Sequence, residues 1–322
     1  MNILVPLSWQ EHITPYIDAG ADELYIGFYD EKWTEKFGTY ADINRMSGFK
    51  FRANPNNFHD MIEAVKIIKS KGKKVFVTMN ANGYSSDEID FIEENYYPAI
   101  IESGVDGLIL SDPLIITSAK KHGISVVAST MCAIYNSDIA EIYRNLGVKR
   151  MILPRDLSLD ELEKICSKLP DVEFEAFFMR NGCIFSDSYC LGMHRPECGA
   201  TCTYTRTNTE KYEHNYKDFN GIHDADVNDY LYKNLFHREA CAMCALYRLK
   251  KIGIRALKIV GRADEHESVC QDIMLTKANL EILSTCSDET EYLAKMMYPS
   301  GYPVKCREGF SCYYPEVRFG NS

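Results

Sequence analysis

Apolar runs of strand length recur along the first 178 residues: Ile3–Leu7, Glu23–Phe28, Lys74–Asn80, Gly107–Asp112, Ser125–Thr130, Arg150–Arg155 and Val172–Phe178. Between most of them apolar residues fall at helical spacing. In Asn57–Lys71 they are Met61, Ala64, Val65, Ile67 and Ile68. Gly20, Gly72, Gly104, Gly123 and Gly147 each follow a helical stretch and precede a strand, where a left-handed C-terminal cap belongs. Asn136-Ser137-Asp138 and Ser158-Leu159-Asp160-Glu161 have the composition of helix N-caps. Strands apolar nearly throughout, alternating with helices, predict a parallel sheet covered by helices. An eighth strand, Ala256–Arg262, arrives late and is followed by a helix over Glu267–Leu283. The prediction is an α/β fold, a (β/α)8 TIM-like barrel over residues 1–287, with a doubly wound open sheet as the alternative. A Cys-rich insertion at 179–244 separates strands seven and eight. It leaves from the barrel face that carries chemistry. A short, tyrosine-rich C-terminal tail, 288–322, either closes one barrel end or wraps the surface.

The insertion changes the picture. It holds six of the twelve cysteines, Cys183, Cys190, Cys198, Cys202, Cys241 and Cys244, spaced C-x6-C, C-x3-C and C-x2-C. The first twenty residues have no apolar signal-peptide core, and no apolar run reaches the roughly 18 residues of a membrane span. A cytoplasmic chain is expected, in which clustered thiols hold metal rather than disulfides. Four thiolates suit either a [4Fe-4S] cluster or zinc, and spacing alone leaves both open. Cys306 and Cys312 in the tail make a second thiolate site arithmetically possible, against a role as small hydrophobes. Cys132, Cys166, Cys270 and Cys286 lie in strand or helix patterns and are expected in the core. Among eight histidines there is no HExxH motif; His194, inside the cysteine segment, is expected on a solvated loop. No G-x-S-x-G elbow marks a serine hydrolase.

The formal charge is −10, which argues against a general attraction for phosphate backbones. A small-molecule or carrier-bound acceptor is therefore expected ahead of nucleic acid. Residues at the C-terminal ends of barrel strands are candidates for chemistry. Arg155, Lys258, Glu175 and Asp112 are candidate catalytic residues; Asn80, Thr130, Asn136 and Arg262 are candidates for substrate binding. A cation at the mouth would bind a carboxylate, arginine as a bidentate fork. The plainer roles are caps and salt bridges: Asp112-Pro113 as a strand-to-helix turn, and Glu175 as a buried partner of Arg155.

Several segments together resemble peptidase family U32, the collagenase-like peptidases, over roughly residues 3 to 270. They are Ala19-Gly20-Ala21-Asp22-Glu23-Leu24-Tyr25-Ile26-Gly27, Val77-Thr78-Met79-Asn80, Gly104-Val105-Asp106 with Ser111-Asp112-Pro113, and Ser129-Thr130 with Asn136. Leu153-Pro154-Arg155-Asp156-Leu157-Ser158, Glu175-Ala176-Phe177, the cysteine pairs and Lys258-Ile259-Val260-Gly261-Arg262 follow in order. The resemblance implies a barrel binding a [4Fe-4S] cluster through four cysteines. It also implies hydroxylation of an aromatic ring without molecular oxygen, on ubiquinone precursors or on bases in tRNA and ribosomal RNA, with prephenate as oxygen donor in several members. Carried over, the ligands are Cys183, Cys190, Cys198 and Cys241, with Cys202 and Cys244 as alternates. The chain departs from the family at Met179-Arg180-Asn181-Gly182, which replaces a His-Gly pair, at Ser188-Tyr189, and at Val260 where glutamate is usual. The expected activity is a [4Fe-4S]-dependent, oxygen-independent hydroxylation of a small or carrier-bound acceptor. The alternatives are a subunit that needs a family-member partner chain, a peptidase, an RNA base hydroxylase, and a zinc protein.

Overall fold

Eight parallel strands close on themselves: β1 (Asn2–Leu7), β2 (Glu23–Ile26), β3 (Lys74–Thr78), β4 (Gly107–Leu110), β5 (Val126–Ala128), β6 (Arg150–Ile152), β7 (Glu173–Met179) and β8 (Ala256–Ile259). The computed structural model describes residues 1–39, 41–48, 53–180, 182–183, 186–190, 240–301, 306 and 312–320. Closure is made by β1 and β8, with Asn2 opposite Ala256 and Leu4 opposite Lys258, and this excludes the open doubly wound sheet. The strands match the apolar runs, but most stop short of them. β3 ends at Thr78 rather than Asn80, β4 at Leu110 rather than Asp112, and β6 at Ile152 rather than Arg155. Those last residues leave the ladder and line the loops over the C-terminal mouth.

Helices α1 (Ile13–Ala19), α2 (Glu31–Phe37), α3 (Phe58–Ser70), α4 (Ser86–Asn95), α5 (Tyr97–Ser103), α6 (Pro113–Lys121), α7 (Ser137–Asn145) and α8 (Leu159–Lys168) follow the first six strands. Their starts obey local chemistry. Asn57 accepts from Asp60 N, and Ser85 and Ser158 each form a reciprocal capping box, with Glu88 and Glu161. Helix α5 ends at Gly104, whose φ of 75° an L side chain would resist. In α3 the residues Met61, Ala64, Val65 and Ile68 face the core, while Ile67 falls off that stripe and is exposed.

After β7 the chain turns through Arg180, at φ 68°, and a single 3-10 turn over Asp187–Tyr189 comes to the mouth. The returning limb docks beside β7, where Arg180 N donates to Ala240 O (2.7 Å) and Ala242 N to Phe178 O (2.9 Å). It continues as α9 (Leu246–Ile252) into β8, then α10 (His266–Ser284) and α11 (Glu289–Lys295). The tail crosses the same side of the mouth: Tyr292 Oη donates to Met243 O (2.8 Å), Tyr313 Oη to Arg180 O (2.5 Å), and Glu316 accepts from Leu159 N (2.7 Å). The described tail residues Cys312, Tyr313 and Glu316 thus lie beside the returning limb, Arg180 and the start of α8. Among the described residues no helix is long and apolar enough to cross a membrane.

Candidate functional site

Asp187, between the first two clustered cysteines, organises the mouth. Its Oδ1 accepts from Arg45 Nη1 at 2.5 Å, and its Oδ2 lies 2.9 Å from both Nε and Nη2 of Arg155 and 3.1 Å from Thr130 Oγ1. Arg155 also stacks on Phe177, with its guanidinium carbon 4.1 Å from the ring centre. Burial alone would push the Asp187 carboxyl up. Arg155 and Arg45 outweigh that and hold it well below the usual carboxylate range. Burial likewise opposes the Arg155 charge, but Asp187, Tyr313 and Cys183 raise its pKa above the ordinary value.

Cys183 and Cys190, both half-buried, flank Asp187 along the chain. Cys183 lies within electrostatic reach of Arg155, and Cys190 within reach of Arg45. Such a pair is a suitable half of a metal or cluster site. Cys198 and Cys202, together with His194, lie outside the described residues. A hollow of about 270 Å³ opens beside Cys190, walled by Asn82, Ser111, Asp112 and Met131.

Asn80 and Thr130 join the Asp187 neighbourhood. Asn80 donates to Ser129 Oγ (3.0 Å) and accepts from Arg45 N (3.3 Å). Arg262 lies on the β1–β3 side, where its Nη1 donates to Asn54 Oδ1 (3.0 Å) and Thr78 Oγ1 (3.2 Å). Gly27 makes room for it, since a Cβ there would lie 2.0 Å from Arg262 Nη1. Desolvation among neutral partners pulls the Arg262 pKa to about 10. A cation held this way has much to gain from an incoming anion.

Other candidates serve the scaffold. Asp112 caps α6 through Leu114 N (2.6 Å) and also accepts from Tyr84 N (3.2 Å), though it borders the hollow. Asn136 is exposed and caps α7 through Asp138 N (3.0 Å) and Ile139 N (2.9 Å). Glu175 does not meet Arg155. It accepts from Arg150 Nε at 2.6 Å inside the barrel, where Arg150 also pairs with Glu23. Arg155 sits past the end of β6 and faces the insertion, whereas Arg150 begins β6 and faces inward. Lys258 Nζ stands 3.7 Å from Glu175 Oε2 and 3.7 Å from the Tyr25 ring centre, and neither Lys258 Nζ nor Glu175 Oε2 has a hydrogen bond. Desolvation lowers the Lys258 pKa to about 8, against the pull of Glu175.

Reading the strand ends missed Asp187, Arg45 and Arg150. Arg150 carried a signal, being a charge at the start of an otherwise apolar strand. Asp187 was legible only as part of its cysteine spacing, and Arg45 lies on a loop with no pattern. Cys241 and Cys244 are buried at the junction of insertion and tail.

A closed parallel barrel with a thiol-bearing insertion at its C-terminal mouth defines the class. The model of peptidase family U32 matches residues 9–318, and the chain belongs to that family. It is 29% identical to the Escherichia coli tRNA hydroxylation protein P over 56% of this chain and 39% of that one. The Bacillus subtilis tRNA hydroxylation protein P2 is 25% identical over 91% of this chain and 89% of its own length. The E. coli 23S rRNA 5-hydroxycytidine C2501 synthase is 27% identical over 76% of this chain and 33% of its own. The chain thus spans less than half the length of two of these three relatives.

Proposed function

We propose that this chain is an oxygen-independent hydroxylase acting on a base in RNA. The observation that supports it most is the arrangement of Cys183 and Cys190 beside guanidiniums at the mouth of a U32 barrel, in a family whose similar members are named for tRNA and rRNA hydroxylation. The net charge pointed away from RNA, but it sums the whole surface. At the mouth Arg45 and Arg155 both hold Asp187, and Arg262 stands among neutral partners, with the carboxylates of Asp112 and Asp156 at the edge. Local charge, not the total, decides whether a phosphate or carboxylate is drawn in.

The half-buried thiols fit a [4Fe-4S] cluster: Cys183 and Cys190 would hold it with two further insertion cysteines, and it would supply redox chemistry at the mouth. The remaining steps belong to the chain. Converting C–H to C–OH is a two-electron oxidation, so an oxygen donor must be reduced alongside. An anionic donor such as prephenate suits Arg262, whose present partners are neutral. Arg155 is engaged by Asp187 and acts as a positioning residue for the Cys183–Cys190 segment. Lys258, with its lowered pKa, can hold or release a proton near neutral pH.

The test is mass spectrometry of nucleosides from tRNA and ribosomal RNA in cells lacking the gene. A hydroxylated base should disappear, return with the intact gene, and stay absent with Cys183→Ser. Unchanged RNA would overturn the assignment of the acceptor.

A further inference from the structure

Three successive loops at the barrel mouth, together with the incoming insertion, enclose one small space. The loop after β3 brings Asn82, and the loop after β4 brings Ser111, Asp112 and Pro113. The 3-10 turn Thr130–Cys132 after β5 brings Met131. On the remaining side stand Ser188, on the turn Asp187–Tyr189, and Cys190 just beyond it. The hollow measures about 270 Å³. Sites for drug-sized ligands run from roughly 300 to 1,000 Å³, so this one has room for a single ring system. Its walls are of two kinds. Met131 and Pro113 are apolar, whereas Asn82, Ser111, Asp112 and Ser188 carry hydrogen-bonding groups. Ser111 Oγ donates to Ala81 O (2.6 Å), and the Asp112 oxygens accept from Leu114 N (2.6 Å) and Tyr84 N (3.2 Å). Each carboxylate oxygen keeps a further lone pair. Asn82 is exposed, and its Nδ2 donates to Cys190 O at 3.4 Å, long enough to be exchanged for a ligand's acceptor.

We propose that this hollow seats the target base of the RNA and that Asn82 reads the base's hydrogen-bonding edge. The assignment rests on the hydroxylase function proposed for the same mouth. Chemistry on a base requires it to leave its stack for a pocket, where apolar side chains cover its faces and polar ones meet its edge. The hollow supplies both. A carboxamide offers a donor and an acceptor side by side, and a base edge presents the complementary pair. Asp112 can accept from a ring N–H or an exocyclic amino group, and as an anion it turns a phosphate away. The space therefore suits a neutral ring, while Arg262, among neutral partners, suits an anionic donor. Cys190 gives the location its meaning: a base seated here lies against one of the thiols of the proposed cluster site.

Two measurements test the assignment. In cells lacking the gene, Asn82→Ala should restore the hydroxylated base about tenfold less well than the intact gene does. Asn82→Trp, which fills the hollow, should not restore it. Both variants replace an exposed side chain, so their melting temperatures and their iron and sulfide contents should match the wild type. Ultraviolet cross-linking of the wild-type protein to total tRNA and ribosomal RNA from the deletion cells should mark peptides carrying Asn82 or Met131. Full restoration by either variant, or cross-links confined to other peptides, overturns the base site and leaves the hydroxylase function standing. Cross-links at Asn82 without any gene-dependent hydroxylated base support the base site and overturn the hydroxylase function instead.

Discussion

Two buried ion networks occupy the barrel, and they are mirror images in charge. Inside it, Arg150 lies between the carboxylates of Glu23 and Glu175, with Lys258 to one side. At the mouth, Asp187 lies between the guanidiniums of Arg45 and Arg155. The inner members come from β2, β6, β7 and β8, whose spacing the hydrogen-bonded ladder already fixes. The outer members come from three segments far apart in sequence, and no ladder holds them. The inner network therefore belongs to the scaffold, whereas the outer one positions a site. Removing the centre of the first should cost folding; removing the centre of the second should release the cysteine-bearing segment.

The largest expected effect is that of Arg150→Met, which leaves Glu23 buried without its guanidinium and Glu175 with only Lys258, 3.7 Å away. Breaking such a network costs about 3–5 kcal/mol, measurable as a shift of the urea unfolding midpoint. Asp187→Asn keeps the shape but removes the charge, at about 1.5–3 kcal/mol. Its distinguishing mark should be faster alkylation of Cys183 and Cys190. If Arg150→Met exposes those thiols as much as Asp187→Asn does, the two networks are one unit and the distinction falls.

Titration separates them further. Asp187 has a depressed folded pKa, so its stabilisation is complete above the ordinary carboxyl value of about 4 and disappears as pH falls below it. Acid unfolding of the wild type should therefore be steeper in that range than that of Asp187→Asn. Lys258 behaves oppositely. Its folded pKa of about 8 is below the ordinary ammonium value of about 10.4. Between the two the unfolded chain binds more protons, so stability should rise with pH, and Lys258→Met should flatten that rise. The smallest effect is expected from Asn136→Ala, about 1 kcal/mol for a lost helix cap, with metal content unchanged.

Much of this molecule was legible in its residues. The apolar runs named all eight strands, the caps at Asn136 and Ser158 marked helix starts, and the glycines marked several helix ends, because these depend on contacts within a few residues. The mouth was legible in part. Thr130 and Arg155 were placed correctly at strand ends, yet their common partner Asp187 was not, since its role depends on where the insertion lands. Asn136 and Asp112 show the converse, because a polar residue after a strand caps a helix as readily as it meets a substrate.

Local periodicity and cap chemistry thus determined the order of strands and helices and the presence of a cysteine-rich segment after the seventh strand. Only the tertiary structure decided that the sheet closes, that Glu175 pairs with Arg150 rather than Arg155, and that Cys241 lies beside Cys312. The reason is separation along the chain. Hydrophobic pattern and capping act over a handful of residues, whereas an ion pair joining residues 45 and 187, or a backbone bridge joining 241 and 312, exists only after the barrel has brought them together.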